Sequence, residues 1–254
     1  MLRYLTRREI LKRITNYLTA FLLMPFFSTK KALAGKIDST PGKMAHKMNL
    51  PKPSFKGSVS VEAAIKHRRT IRSYQSKSLT LEQLSQIFWA AQGITEDRGY
   101  KRSAPSGGAL YPMDIYGVVG ENGVEKLNAG IYHYDPHKHA VLLVTEGDLR
   151  KDVARTAFSQ MWIAESPLNL VITAEYSRIT GKYRTRGKRY AMIEAGHIGQ
   201  NIFLQAEALG LRAGIVGAFH DKDVNRIMRI NRSHEPLLIM PLGYEVVTGT
   251  LSTY

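Results

Sequence analysis

Hydrophobic and polar positions along this chain follow two rhythms, one of period 3.6 and one of period two, and the chain switches between them repeatedly. Leu81, Leu84, Ile87, Phe88 and Ala91 recur at helical spacing. Thr80 precedes them with Gln83 three residues on, which predicts a capped helix ending near Gly93. A short helix is expected over Val61–Arg68, others over Asp148–Glu165 and around Asp223–Ile230. A long, mostly apolar helix over Tyr190–Leu209 closes at Gly210. Strands are expected at Asp114–Val119, Leu168–Ala174, Ala213–Phe219 and Leu237–Leu242. Gly130–Asp135 and Ala140–Val144 read as a hairpin joined across Pro136–His137–Lys138–His139. Helices interleaved with hairpins point to an α+β class rather than a doubly wound parallel sheet. No G-x-G-x-x-G follows a strand, which argues against a dinucleotide fold.

The two ends of the chain break this pattern. Thr6-Arg7-Arg8-Glu9-Ile10-Leu11-Lys12 is followed by an apolar run, Ile14 to Phe27, then by Lys30, Lys31 and the small-x-small triplet Ala32-Leu33-Ala34. The run is shorter than the roughly 20 apolar residues a membrane span needs. The order of pair, run and cleavage triplet resembles a twin-arginine export signal, cleaved after Ala34. It predicts passage through the twin-arginine machinery to a periplasmic or other extracytoplasmic place, with no stable membrane span after processing. Residues 35–58 carry Pro41, Pro51 and Pro53 without a sustained period and are expected to form a linker or wrapping arm. The folded domain is expected over 59–246, with a tail at 247–254. Residues 1–34 hold seven cations and one acid, so removing them lowers the formal charge from +15 to +9. What remains is dispersed, apart from Lys182, Arg184, Arg186, Lys188 and Arg189, so nucleic acid is not the expected partner. The absence of cysteine excludes disulfides, thiolate metal sites and cysteine nucleophiles. His137 and His139 sit in a turn with no third ligand evident, and no metal is expected.

Three stretches carry candidate chemistry. In Arg68-Arg69-Thr70-Ile71-Arg72-Ser73-Tyr74, an extended backbone projects Arg68, Thr70 and Arg72 to one side. Two guanidinium groups and a hydroxyl on one face suit a phosphate, though a basic surface turn has the same composition. Pro105-Ser106-Gly107-Gly108-Ala109-Leu110-Tyr111-Pro112 sets paired glycines between prolines, a loop whose backbone can closely approach a flat ligand. The third is the helix carrying Glu194, Gly196, His197, Gln200 and Asn201, with the strand after it through Val216 and Gly217. His197 is read as structural or interfacial.

Taken together, Arg68/Thr70/Arg72, the Pro105–Pro112 loop and the Glu194–Asn201 helix resemble the nitroreductase family, from about Val59 to Tyr244. The closer likeness is to its SagB-type branch, the azoline dehydrogenases, because Ala109 and Tyr111 stand where typical nitroreductases carry Asn and Gln. The resemblance implies a homodimeric α+β fold with a mostly antiparallel sheet and FMN in each of two interface clefts. Arg68, Arg69, Thr70 and Arg72 would hold phosphate and ribityl. Pro105, Ser106, Gly107 and Gly108 would line the ring from the partner subunit, and Val216 and Gly217 would face its hydride-accepting edge. Lys182-Tyr183 matches a pair implicated in proton transfer. The tail from Glu245 lacks Lys and Arg, so Arg189 or a neighbour is expected to complete the phosphate charge. The activity implied is FMN-dependent hydride transfer to or from a small-molecule or peptide substrate. A non-catalytic flavin-binding accessory role is the alternative.

Overall fold

The computed structural model describes residues 47–246. The expected signal over 1–34 and tail over 247–254 lie outside the described residues, as does the first half of the 35–58 segment.

Seven strands form one sheet in the order β1-β4-β3-β2-β5-β7-β6, with every neighbouring pair antiparallel. They are β1 (Lys47–Asn49), β2 (Met113–Val119), β3 (Gly130–Asp135), β4 (Ala140–Glu146), β5 (Leu168–Glu175), β6 (Arg212–Ala213) and β7 (His234–Gly243). Seven helices accompany them among the described residues: α1 (Val61–His67), α2 (Leu81–Gln92), α3 (Arg150–Thr156), α4 (Trp162–Glu165), α5 (Ser177–Tyr183), α6 (Arg186–Ala208) and α7 (Asp221–Met228). This is the expected α+β class. None of these helices is long and apolar enough to cross a membrane.

The period of two decides which side chain meets which layer. Met113, Ile115, Leu170, Ile172, Met240 and Leu242 face the core under α2 and α6. Tyr116, Val118, Val171 and Ile239 face the opposite core, built with α3, α4 and α7. The central strands are buried on both faces, and each fully buried Leu or Ile contributes about 1.5–3 kcal/mol. The capping box is present: Gln83 N–H donates to Thr80 Oγ1 at 3.2 Å and Thr80 N–H to Gln83 Oε1 at 3.0 Å.

Four elements depart from the sequence expectations. The Asp148–Glu165 helix is two short helices, because Phe158 and Ser159 take φ of 54° and 57° and break the ladder between α3 and α4. The Ala213–Phe219 strand shrinks to Arg212–Ala213 plus one bridge from Val216 to Ile239. Helix α5, absent from the sequence expectations, carries Lys182 and Tyr183 at its end and stops where Arg184 turns to φ 49°. Finally β1 lies inside the 35–58 segment and pairs with β4, too short to show a period.

Candidate functional site

The site is built from two pairs of segments. In the first, Ser60 Oγ caps α1 by accepting from Ala63 N–H at 3.1 Å, and the helix releases the chain at Arg68. The chain then runs beside β6: Ile71 N–H donates to the Ala213 carbonyl at 3.0 Å, and Thr70 bridges Ala213. Tyr74 pins this run from beneath, its hydroxyl reaching the carbonyls of Ile71 at 2.9 Å and Pro241 at 3.1 Å. Burial pushes that hydroxyl's pKa up, keeping it a donor. Gly214 permits the close approach, since a Cβ there would lie 2.8 Å from the Ile71 carbonyl and 2.7 Å from the Trp162 ring.

Arg68 lies over the Phe203 ring at 5.2 Å and Arg72 over the Trp162 ring at 5.7 Å. Neither has a carboxylate within ion-pair distance among the described residues. Both guanidinium groups keep donors for an anion. Arg69 differs. Its guanidinium folds back on the carbonyls of Lys66 (2.9 Å) and Arg68 (2.8 Å), so those donors serve the turn instead of the shared face.

Val216 and Gly217 follow on the same edge. Val216 N–H is already bonded to the Ile239 carbonyl at 2.8 Å, and the Val216 carbonyl accepts from Ile239 at 2.9 Å. The donor left free is therefore Gly217 N–H, which has no acceptor among the described residues.

The second pair joins the glycine loop to α5. Gly107–Ala109 makes a single 3-10 turn, with φ of 66° at Gly108, 54° at Ala109 and 46° at Tyr111. A Cβ on Gly108 would stand 2.7 Å from the Tyr183 hydroxyl and 3.2 Å from Lys182 Nζ. The loop backbone thus sits directly against the two residues with transferable protons. Gly107 packs in the same way on Tyr190, whose ring meets Tyr183 edge-on at 5.1 Å. Ser106 Oγ accepts from Tyr111 N–H at 2.9 Å, so this oxygen closes the loop on itself. Pro105 is exposed at the loop's start. Among the described residues, no hydrogen bond, ion pair or ring contact joins the Arg68–Gly217 group to the Ser106–Tyr183 group within one chain.

Under the loop lies a network that the sequence pattern did not reveal. Glu194 is buried, with Oε1 accepting from Gln92 Nε2 at 3.0 Å, while Gln92 Oε1 accepts from Arg102 Nη1 at 3.1 Å. Burial pushes the Glu194 carboxyl up to about 7, against the lowering effects of Ser106, Gln92 and Arg102. A folded value above the ordinary 4.5 means the folded state holds a proton that the unfolded chain releases. That stabilisation is complete below pH 4.5 and is lost as pH rises to 7. E194Q, neutral throughout, should exceed the wild type above pH 7 by on the order of 3 kcal/mol. Denaturant melts from pH 4.5 to 8 will read this, with the two curves converging at the acid end.

A second polar cluster surrounds Arg178, which pairs with Asp114 Oδ2 at 2.8 Å and Glu175 Oε2 at 2.7 Å. Burial alone would raise Asp114, but His133 at 2.9 Å and Arg178 hold its carboxyl below the usual range. Asp114, Glu175 and His234 lie close enough to suggest a metal, yet the Arg178 guanidinium already pairs with both acids. His139 is structural, set among Tyr134, Ser85 and Pro51, while His137 and His197 are exposed. Arg189 is exposed on α6.

An antiparallel α+β sheet with a basic strand-like edge and a glycine loop is the architecture of a large class of oxidoreductases. A solved nitroreductase structure from Ralstonia eutropha superposes with a TM-score of 0.70 at 26% identity, covering 88% of this chain and 99% of that one. The Escherichia coli microcin synthetase McbBCD complex, with truncated pro-MccB17 bound, shares the fold, with a TM-score of 0.62 at 23% identity over 94% of each chain. The nitroreductase family model matches residues 65–244, and this chain belongs to that family. Among curated relatives, a nitroreductase-like protein of Methanocaldococcus jannaschii is 40% identical over 188 residues, 74% of this chain and 92% of the relative. The microcin B17-processing protein McbC of Escherichia coli is 24% identical over 232 residues, 88% of this chain and 85% of that one. The chain is an oxidoreductase of this family, related on its SagB-type side to the microcin B17-processing protein McbC and the trifolitoxin-processing protein TfxB.

Proposed function

We propose that this protein is a homodimeric FMN-dependent oxidoreductase that acts outside the cytoplasm on a small-molecule or peptide substrate. The observation that carries the cofactor is the pair of unneutralised guanidinium groups at Arg68 and Arg72, set beside Gly217 with its free N–H. A flavin mononucleotide presents a phosphate and a ring whose reactive edge accepts a hydrogen bond, and these residues offer donors for both. Bound FMN would supply hydride transfer; the protein supplies position, donors and protons. Arg68, Thr70 and Arg72 would grip the phosphate end. Gly217 N–H would orient the reactive edge. Pro105, Ser106, Gly107 and Gly108 would cover the ring with bare backbone, and Tyr183 and Lys182 would hold or move a proton at the covered face.

The separation of the two groups within one chain supports a dimer in which each cofactor lies between loops of different subunits. Met192 and Ile193 on α6 and Val61 and Ile65 on α1 are at least half exposed, an apolar surface suited to a second copy. I193D should convert a dimer to monomers and lower flavin content, read by light scattering and absorbance.

The address rests on Arg7-Arg8, the Ile14–Phe27 run and Ala32-Leu33-Ala34. Outside the cytoplasm NAD(P)H is scarce, which favours a dehydrogenase, an oxidase or a reductase fed by another carrier. The peptide substrate is proposed from the kinship with McbC, whose complex holds a peptide precursor. An absorption spectrum of purified protein tests the core of this reading, followed by stopped-flow reduction with candidate donors. Colourless protein whose melting temperature is unmoved by added FMN overturns it.

A further inference from the structure

A cavity of about 260 Å³ opens between Arg102, β2, β3 and the start of α5. Its lining carries two guanidinium groups, Arg102 and Arg178, and the apolar Pro136 and Leu142. The two cations are in different states. Arg178 is fully engaged by Asp114 and Glu175. Arg102 has no carboxylate within ion-pair distance among the described residues: Nη1 bonds the neutral Gln92, and Nε is buried without an acceptor. Burial accordingly disfavours its charge, and Gln92 stands between it and Glu194. A partly buried guanidinium without a carboxylate beside it is costly unless an anion offsets its charge.

We propose that this cavity is a binding site for a small monocarboxylate with an apolar body, its carboxylate seated on Arg102. A carboxylate entering the cavity can bond Arg102 Nη2, the guanidinium nitrogen that neither bonds Gln92 nor is buried like Nε. Pro136 and Leu142, both partly exposed in the lining, supply the surface for a carbon body. Asp114 and Asp135 in the same wall oppose a dianionic phosphate, which separates this site from the Arg68–Arg72 segment. Arg102 also lies over the Tyr111 ring at 4.3 Å, and Tyr111 N–H closes the glycine loop onto Ser106. An occupant is therefore gripped by a residue that frames the loop. The site stands on its own geometry and does not depend on the cofactor proposed above.

The test is calorimetric titration of flavin-loaded protein with benzoate and, at matched ionic strength, with its neutral isostere benzamide. Benzoate should bind once per chain, and benzamide at least about tenfold more weakly. R102Q should weaken benzoate by at least about tenfold, with R102K intermediate because lysine keeps the charge but loses the fork. Protein stripped of flavin by R68M/R72M should bind benzoate as the wild type does, so failure of the cofactor reading leaves this result standing. Equal binding of benzoate and benzamide, undiminished binding by R102Q, or a benzoate Kd above about 10 mM overturns the proposal.

Discussion

Protein carrying R68M/R72M should purify without flavin, while its melting temperature matches that of flavin-stripped wild type. Each charge-assisted hydrogen bond to a phosphate contributes about 1.5–3 kcal/mol, so losing both groups raises the dissociation constant at least about 100-fold. The fold itself loses little. The two guanidinium groups touch only the Phe203 and Trp162 rings at 5.2 and 5.7 Å, contacts worth about 0.5–1 kcal/mol each at exposed sites. Methionine keeps the apolar stem over each ring. Fluorescence titration of stripped protein with FMN measures the loss directly. Unaltered affinity would remove this segment from the cofactor site.

K182M and Y183F should each retain a full complement of flavin and lose turnover by about 10²–10⁴-fold, the usual contribution of a positioned proton donor or acceptor. The geometry behind this is the contact at Gly108, where the loop backbone leaves no room for a side chain against the Tyr183 hydroxyl and Lys182 Nζ. Groups packed that tightly on the covering loop are held where a ring beneath the loop would meet them. Stopped-flow traces separate the outcomes: slowed reduction or reoxidation at unchanged flavin content supports catalysis, whereas unchanged traces favour the accessory role.

Legibility in the sequence followed the strength of local pattern. The α2 capping box, the β3–β4 hairpin and strands β2 and β5 were readable because each combines a period with a punctuating residue. The break between α3 and α4 was not, since Phe158 and Ser159 carry no glycine to announce a left-handed turn. The Arg68–Arg72 edge was visible as a charge pattern, but the retreat of Arg69 into its own turn depends on carbonyl positions that spacing does not encode. Likewise Val216 looked equivalent to Gly217 until β7 claimed its N–H. The Glu194–Gln92–Arg102 chain joins α6 to the end of α2 and the loop after it, with Gln92 and Glu194 separated by 102 positions. A glutamate on an otherwise apolar helix face was the one hint of it.

The short strand β1 carries a consequence for maturation. It covers the outer edge of β4, and Leu50 just beyond it donates its N–H to the His139 carbonyl at 3.0 Å. An uncovered β4 would offer a row of unpaired amides to another chain. A cut after Ala34 leaves Lys47–Asn49 on the chain, whereas trimming past Asn49 removes the seal. A chain shortened beyond Asn49 should self-associate through that bare margin.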